Sequence, residues 1–124
     1  MTIIIHYLAG NDALYQDHYL EKEYRDDIVV EIDGLYYDVY FFTSDSLKYE
    51  MRRDGFCSFP GMIILEEITN DLILNSINVL VDLGYFKELM GKAEMSHRKR
   101  YIDKWYIQYG PDHIPGNEVT YKLR

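Results

Sequence analysis

Ile28-Val29-Val30-Glu31-Ile32-Asp33-Gly34-Leu35-Tyr36-Tyr37-Asp38-Val39-Tyr40-Phe41-Phe42 is the stretch that decides the fold. Two β-branched and aromatic runs flank Asp33-Gly34, a pair suited to a two-residue type I′ turn because both central positions need positive φ. A two-residue loop fixes the register. Ile32 then faces Leu35, Glu31 faces Tyr36, Val30 faces Tyr37, Val29 faces Asp38 and Ile28 faces Val39. Opposed residues share a face, and side chains alternate along each strand. One face becomes Ile28, Val30, Ile32, Leu35, Tyr37, Val39 and Phe41, which is too apolar to leave in water and is expected in the core. The other becomes Asp27, Val29, Glu31, Tyr36, Asp38 and Tyr40, a half-wet surface that alternates acids with aromatics.

Outward from the hairpin, Thr2 to Tyr7 is β-branched and reads as a first strand, broken at Gly10-Asn11-Asp12. Residues 13–25 read as a short helix or an ordered loop. After the hairpin, Thr43 or Ser44 caps a short helix with Asp45 in its first turn, Leu47 and Met51 on one face, Arg52 and Arg53 at its end, and Gly55 beyond. Phe56 to Phe59 is extended, Pro60-Gly61 turns, and Met62 to Leu65 reads as a buried strand with Glu66-Glu67 at its exit. Thr69 caps the strongest helix, residues 70–83, whose stripe is Ile73, Ile77, Leu80 and Val81 with Leu72, Leu74 and Leu83, and Gly84 stops it. Residues 85–95 are expected to add a helical turn or two. Tyr101 to Tyr109 leans to strand, Pro111 to Gly116 to loop, and Val119 to Leu123 to a terminal strand. The expected fold is α+β: a mostly antiparallel sheet with the hairpin 28–42 at its centre and the amphipathic helix 70–83 packed on it.

The chain has 124 residues, enough for one domain spanning 1–124 with a real core. Apolar residues make up 48% and charged residues 27%, which excludes disorder, collagen and coiled coil. A single cysteine excludes an internal disulfide framework and any multi-cysteine zinc site. No apolar run approaches the length of a membrane span, and Met1 to Gly10 lacks the features of a secretory signal, so a cytoplasmic location is expected.

Two features stand out: a net charge of −8, and 13 tyrosines against 5 phenylalanines. Residues 1–90 hold 17 acidic and 6 basic groups, whereas residues 91–124 hold 4 and 7, so the anionic character belongs to the first three-quarters of the chain. An acidic surface repels nucleic acid and anionic membranes and attracts basic partners, so neither nucleic acid nor membrane is expected as a ligand. Tyrosine suits interfaces, since its ring buries area while its hydroxyl keeps a hydrogen bond. It also packs well in sheets.

Catalytic patterns are not found. Cys57 sits between apolar neighbours and reads as buried and inert. His6, His18, His97 and His113 lie in no local signature, and no HExxH, Gly-rich phosphate loop, GxSxG or EF-hand spacing occurs. Asp38, Glu50 and Lys48 could imitate a metal-nuclease triad. However, Lys48-Tyr49-Glu50 has the reversed order on an expected helix, and an acidic protein grips phosphate poorly. Arg98-Lys99-Arg100 is too short a run to stand as a nucleic-acid patch in this acidic chain. No catalytic residue, cofactor or metal is expected.

The stretch Val30 to Phe42 leads into a short helix. Phe59-Pro60-Gly61-Met62-Ile63-Ile64-Leu65-Glu66-Glu67-Ile68-Thr69 follows and enters a helix that ends at Gly84-Tyr85-Phe86. This arrangement, over residues 28–86, resembles the small acidic immunity proteins of bacterial polymorphic-toxin and contact-dependent inhibition systems. The resemblance implies a stoichiometric inhibitor that binds a cognate toxin domain, often a nuclease, and blocks its active site or a neighbouring surface. Those families share no catalytic motif, so no site residue carries over from them. The alternatives are a non-catalytic adaptor or subunit with another protein partner, and a small metal-dependent enzyme.

Two anionic regions compete as the partner-binding surface. One is the outer hairpin face, Asp27, Glu31, Tyr36, Asp38 and Tyr40, where acids and aromatics alternate on a fixed register that loses little entropy on docking. The other is residues 12–26, with Asp12, Tyr15, Asp17, Tyr19, Glu21, Glu23, Tyr24 and Asp26. The sequence favours the hairpin face.

Overall fold

The computed structural model describes residues 1–58, 60–89 and 120–124. In chain order the elements are β1 (Ile3–Tyr7), α1 (Ala13–Lys22), β2 (Tyr24–Ile32), β3 (Leu35–Phe42), α2 (Ser44–Asp54), β4 (Met62–Ile64), α3 (Asn70–Asp82), α4 (Tyr85–Glu88) and β5 (Thr120–Lys122). The fold is α+β, with a five-stranded sheet in the order β4-β3-β2-β1-β5. Every pairing is antiparallel except β3 with β4, which is parallel. The hairpin therefore holds the middle of the sheet.

The hairpin register is the one that the Asp-Gly turn predicts, from Ile32↔Leu35 to Ile28↔Val39. Asp33 and Gly34 both take positive φ, 47° and 84°, as a type I′ turn requires. Ile28, Val30, Tyr37, Val39 and Phe41 are buried with Ile3, Ile5 and Tyr7 of β1 under α3, which contributes Ile73, Ile77 and Val81. The hairpin's inner face, the neighbouring strand and one helix stripe thus make a single core. Ile32 and Leu35 are the exceptions on that face, half-buried and 37% exposed respectively, because they flank the turn at the end of the sheet.

β2 starts four residues earlier than the hairpin pattern indicates, and it carries a bulge. Arg25 pairs with Phe41 and Ile28 pairs with Val39, so β2 spends one residue more than β3 between these pairs. The extra residue reverses the parity of the strand. Arg25 therefore shares the inner face with Phe41 and is 2% exposed, while Tyr24 pairs with Phe42 and stacks on it at 6.3 Å between ring centres.

Three further expectations are corrected. Met62 to Leu65 is only in part the buried strand expected: Ile63 and Leu65 are buried, Met62 and Ile64 are not. β4 is a three-residue strand, and Ile64 is 45% exposed because among the described residues no strand lies beyond it in the sheet. Leu83 does not belong to the core stripe of α3. It is the residue after the last helical turn and is 75% exposed. Cys57 is half-buried, not enclosed, since it follows α2, a helix that buries none of its own residues; Met51 is likewise exposed. The caps agree with the sequence. Thr43 and Ser46 form a capping box on α2, Thr69 caps α3, and Gly55 ends α2 in the left-handed region. The strand reading of 101–109, the loop at 111–116 and most of 85–95 beyond α4 fall outside the described residues.

Candidate functional site: an acidic cleft at the end of the sheet

On the outer hairpin face, the five residues singled out from the sequence are placed unequally. Asp27 sits in the bulge, and its carboxylate is turned onto Arg25, with Nε to Oδ1 at 2.7 Å and a second contact at 3.2 Å. It also accepts from the Ala9 amide at 3.1 Å. Asp27 is thus drawn out of the alternating row. Glu31 lies 2.9 Å from His6 Nε2, and the His6 ring stacks with Tyr36 at 6.1 Å. Burial pushes the His6 pKa below its ordinary value, while the hydrogen bond and the charge of Glu31 pull the other way. Tyr36, Asp38 and Tyr40 are half-buried. Val29 and His6, paired on neighbouring strands at the centre of this face, are closed to water. Two of the face's carboxylates are therefore held within the chain, and its apolar centre is buried.

The carboxylates of the second anionic region stand in the open, while its Tyr19 is buried and its Tyr24 half-buried. Asp12 caps α1, accepting from the Tyr15 amide at 3.0 Å. The helix ends at Glu23 in the left-handed region, where the Glu23 amide donates back to Tyr19. The Glu23 carbonyl then accepts from the Thr43 amide at 3.0 Å and from Ser46 Oγ at 2.7 Å, which ties the end of α1 to the start of α2. Because β3 and β4 run parallel, both finish at this same end of the sheet. The Leu65 amide donates to the Phe42 carbonyl at 2.8 Å and sets Glu66-Glu67 beside Thr43. The result is a cleft of about 600 Å³ with five carboxylates, Asp17, Glu21, Glu23, Glu66 and Glu67, around Leu20 and Thr43. All five are exposed, and among the described residues none that lines the cleft is basic. Glu66 and Glu67 read in the sequence only as a strand exit. The signal that would have found them is the shared direction of β3 and β4, which is a property of topology.

This arrangement offers concentrated negative charge in an open shape. The Thr43 hydroxyl is used as the cap of α2, accepting from the Ser46 amide at 3.3 Å. Among the described residues no group of three or more His, Cys, Asp or Glu could hold a metal ion, so the carboxylates are spread along the walls and not converged on a point. A second cleft of similar size passes Cys57 and is lined, among the described residues, by Glu50, Arg53, Asp54, Phe56 and Ser58. Glu50 pairs with Arg53 at 2.8 Å and Lys48 lies 3.9 Å from Asp45, both within α2.

Compared with protein-family models, with curated proteins and with solved structures, the chain matches none. Among the described residues no helix is long and apolar enough to cross a membrane.

Proposed function

We propose that this protein is an immunity protein: a stoichiometric inhibitor that binds the basic surface of a cognate toxin domain, with a nuclease as the expected class. The observation that supports this most is the open cleft with five exposed carboxylates and, among the described residues, no basic side chain in its lining. A nuclease presents a cationic cleft for phosphates, and carboxylates held at fixed spacing can occupy it in their place. Dispersed acidic charge speeds encounter with such a surface and selects against anionic partners. Leu20 supplies an apolar floor within the acidic rim, the usual anatomy of a specific interface. The resemblance over residues 28–86 supports the same reading. On this reading the protein works in the cytoplasm, where a nuclease toxin meets its substrate.

Between the two anionic regions, the cleft is the better docking surface, because its carboxylates face solvent while Asp27 and Glu31 are engaged inside the chain. The test is coexpression with a toxin domain encoded beside this chain. Growth should be restored, and the purified pair should run as a 1:1 complex. A folded protein that neither restores growth nor binds that domain would overturn the reading and leave a non-catalytic adaptor.

A further inference from the structure

We infer that α1 and the loop before it form one strap that opens as a unit, and that the buried Arg25 is the clasp that closes it. Arg25 is the largest fully buried side chain among the described residues. Its guanidinium lies 4.7 Å from the Tyr7 ring centre and 4.3 Å from that of Tyr19, between the two aromatic faces. It donates to Asp27, to the Gly10 carbonyl and, at 3.3 Å, to Asn11 Oδ1. These partners divide cleanly. Tyr7 and Asp27 belong to the sheet, whereas Gly10, Asn11 and Tyr19 belong to the strap. One cation therefore ties the middle of the strap to the sheet.

The helix of the strap buries little of its own surface. Of the ten residues of α1 only Tyr19 is buried, and Tyr19 is the residue stacked on Arg25. Leu14 is exposed and Leu20 lines the open cleft. An isolated helix of this length is marginal in water, so α1 persists through its attachments. Among the described residues the others are the Leu8 and Ala9 amides on Asp27 at the near end, Asn11 to Asn70 at 3.3 Å, and at the far end Lys22 over the Tyr24 ring and the Glu23 carbonyl, which leaves the far end as the hinge. The bulge in β2 is what brings Arg25 to the inner face where it can reach the strap. Segments with few buried apolar groups open below the global unfolding free energy. The inference concerns the free protein and stands or falls without the proposed partner. If both hold, the clasp also sets the pose of Asp17 and Glu21, one wall of the acidic cleft.

The test is amide hydrogen exchange on the intact chain, read for residues 16–23 against Val30 and Val39 in the sheet. In the wild type the α1 amides should exchange faster than the sheet and with a weak dependence on denaturant, as local opening requires. Arg25→Lys keeps the charge but loses the planar fork, and should speed α1 exchange by about 10- to 100-fold while the sheet changes by less than about threefold. Tyr19→Leu removes the ring on the strap side only and should act in the same direction, which keeps the inference testable if Arg25→Lys does not fold. Exchange of α1 and the sheet at one common rate in the wild type would overturn it. So would equal acceleration of both by either variant.

Discussion

Ile77 and Val79 lie two positions apart on α3 and face opposite ways, so truncating each tests which side of the helix the sheet occupies. Ile77 is fully buried and Val79 is 46% exposed. Ile77→Ala removes three carbons, about 2.4 kcal/mol at about 0.8 kcal/mol for each buried methylene. The residual cavity adds to this and the better helix propensity of alanine subtracts about 0.4 kcal/mol, which leaves about 2–4 kcal/mol. Val79→Ala gives up two half-exposed carbons and regains much of the loss through propensity, so its effect should stay within about 0.5 kcal/mol. Urea titration of both variants reads the difference as a shift in midpoint at unchanged slope. An Ile77→Ala loss below about 1 kcal/mol, or an equal loss for Val79→Ala, would show that the stripe does not face the sheet.

Gly34 and Gly61 share a φ of 84°, but a Cβ at Gly34 meets nothing whereas one at Gly61 drives into the Asp38 carbonyl oxygen. Gly34→Ala should therefore cost about 1–2 kcal/mol from backbone strain alone, and Gly61→Ala distinctly more, by the same titration; equal losses would show that β3 and the turn before β4 are not so close. His6 titrates below its ordinary value of 6.5 in the fold, so the unfolded chain takes up its proton first. Stability from this group is present above about pH 6.5 and is lost as pH falls toward the folded pKa. Urea midpoints should thus drop between pH 7 and pH 5.5 in the wild type and flatten in His6→Gln, whose amide can still donate to Glu31; an unchanged drop would assign the effect to other groups.

The hairpin was legible because three signals agree on it: period-two alternation, an Asp-Gly turn and strands of matched length. The buried stripe of α3 was legible for a similar reason, since its caps and its periodicity mark the same segment. The bulge was not. Arg25-Asp26-Asp27 is a charged run that reads as solvated, and nothing local says that one extra residue turns Arg25 inward. Its burial depends on Tyr7, Gly10 and Tyr19, which only the tertiary fold collects around it. The outer position of β4 among the described strands was hidden for a different reason, because Met62-Ile63-Ile64 is as apolar as a central strand. Strand order is decided by connections, and here a parallel crossover leaves Ile64 outside. The acidic cleft was half legible. Asp17, Glu21 and Glu23 stood in a region already marked as a candidate, while Glu66 and Glu67 joined it through the common direction of β3 and β4.

The most direct test of the account is the affinity of the cognate toxin domain for Glu66→Lys/Glu67→Lys, measured by calorimetry beside the wild type and Asp38→Lys, with each protein shown to be folded by near-ultraviolet dichroism. Glu66 and Glu67 are exposed, so the fold should tolerate both changes. Reversing two charges opposite a basic surface should weaken binding by at least about 2 kcal/mol, roughly 30-fold, through like charges brought together. Asp38→Lys should bind within a few-fold of the wild type. Undiminished affinity in the Glu66→Lys/Glu67→Lys protein, with a large loss in Asp38→Lys, would contradict the account and put the interface on the outer face of the hairpin.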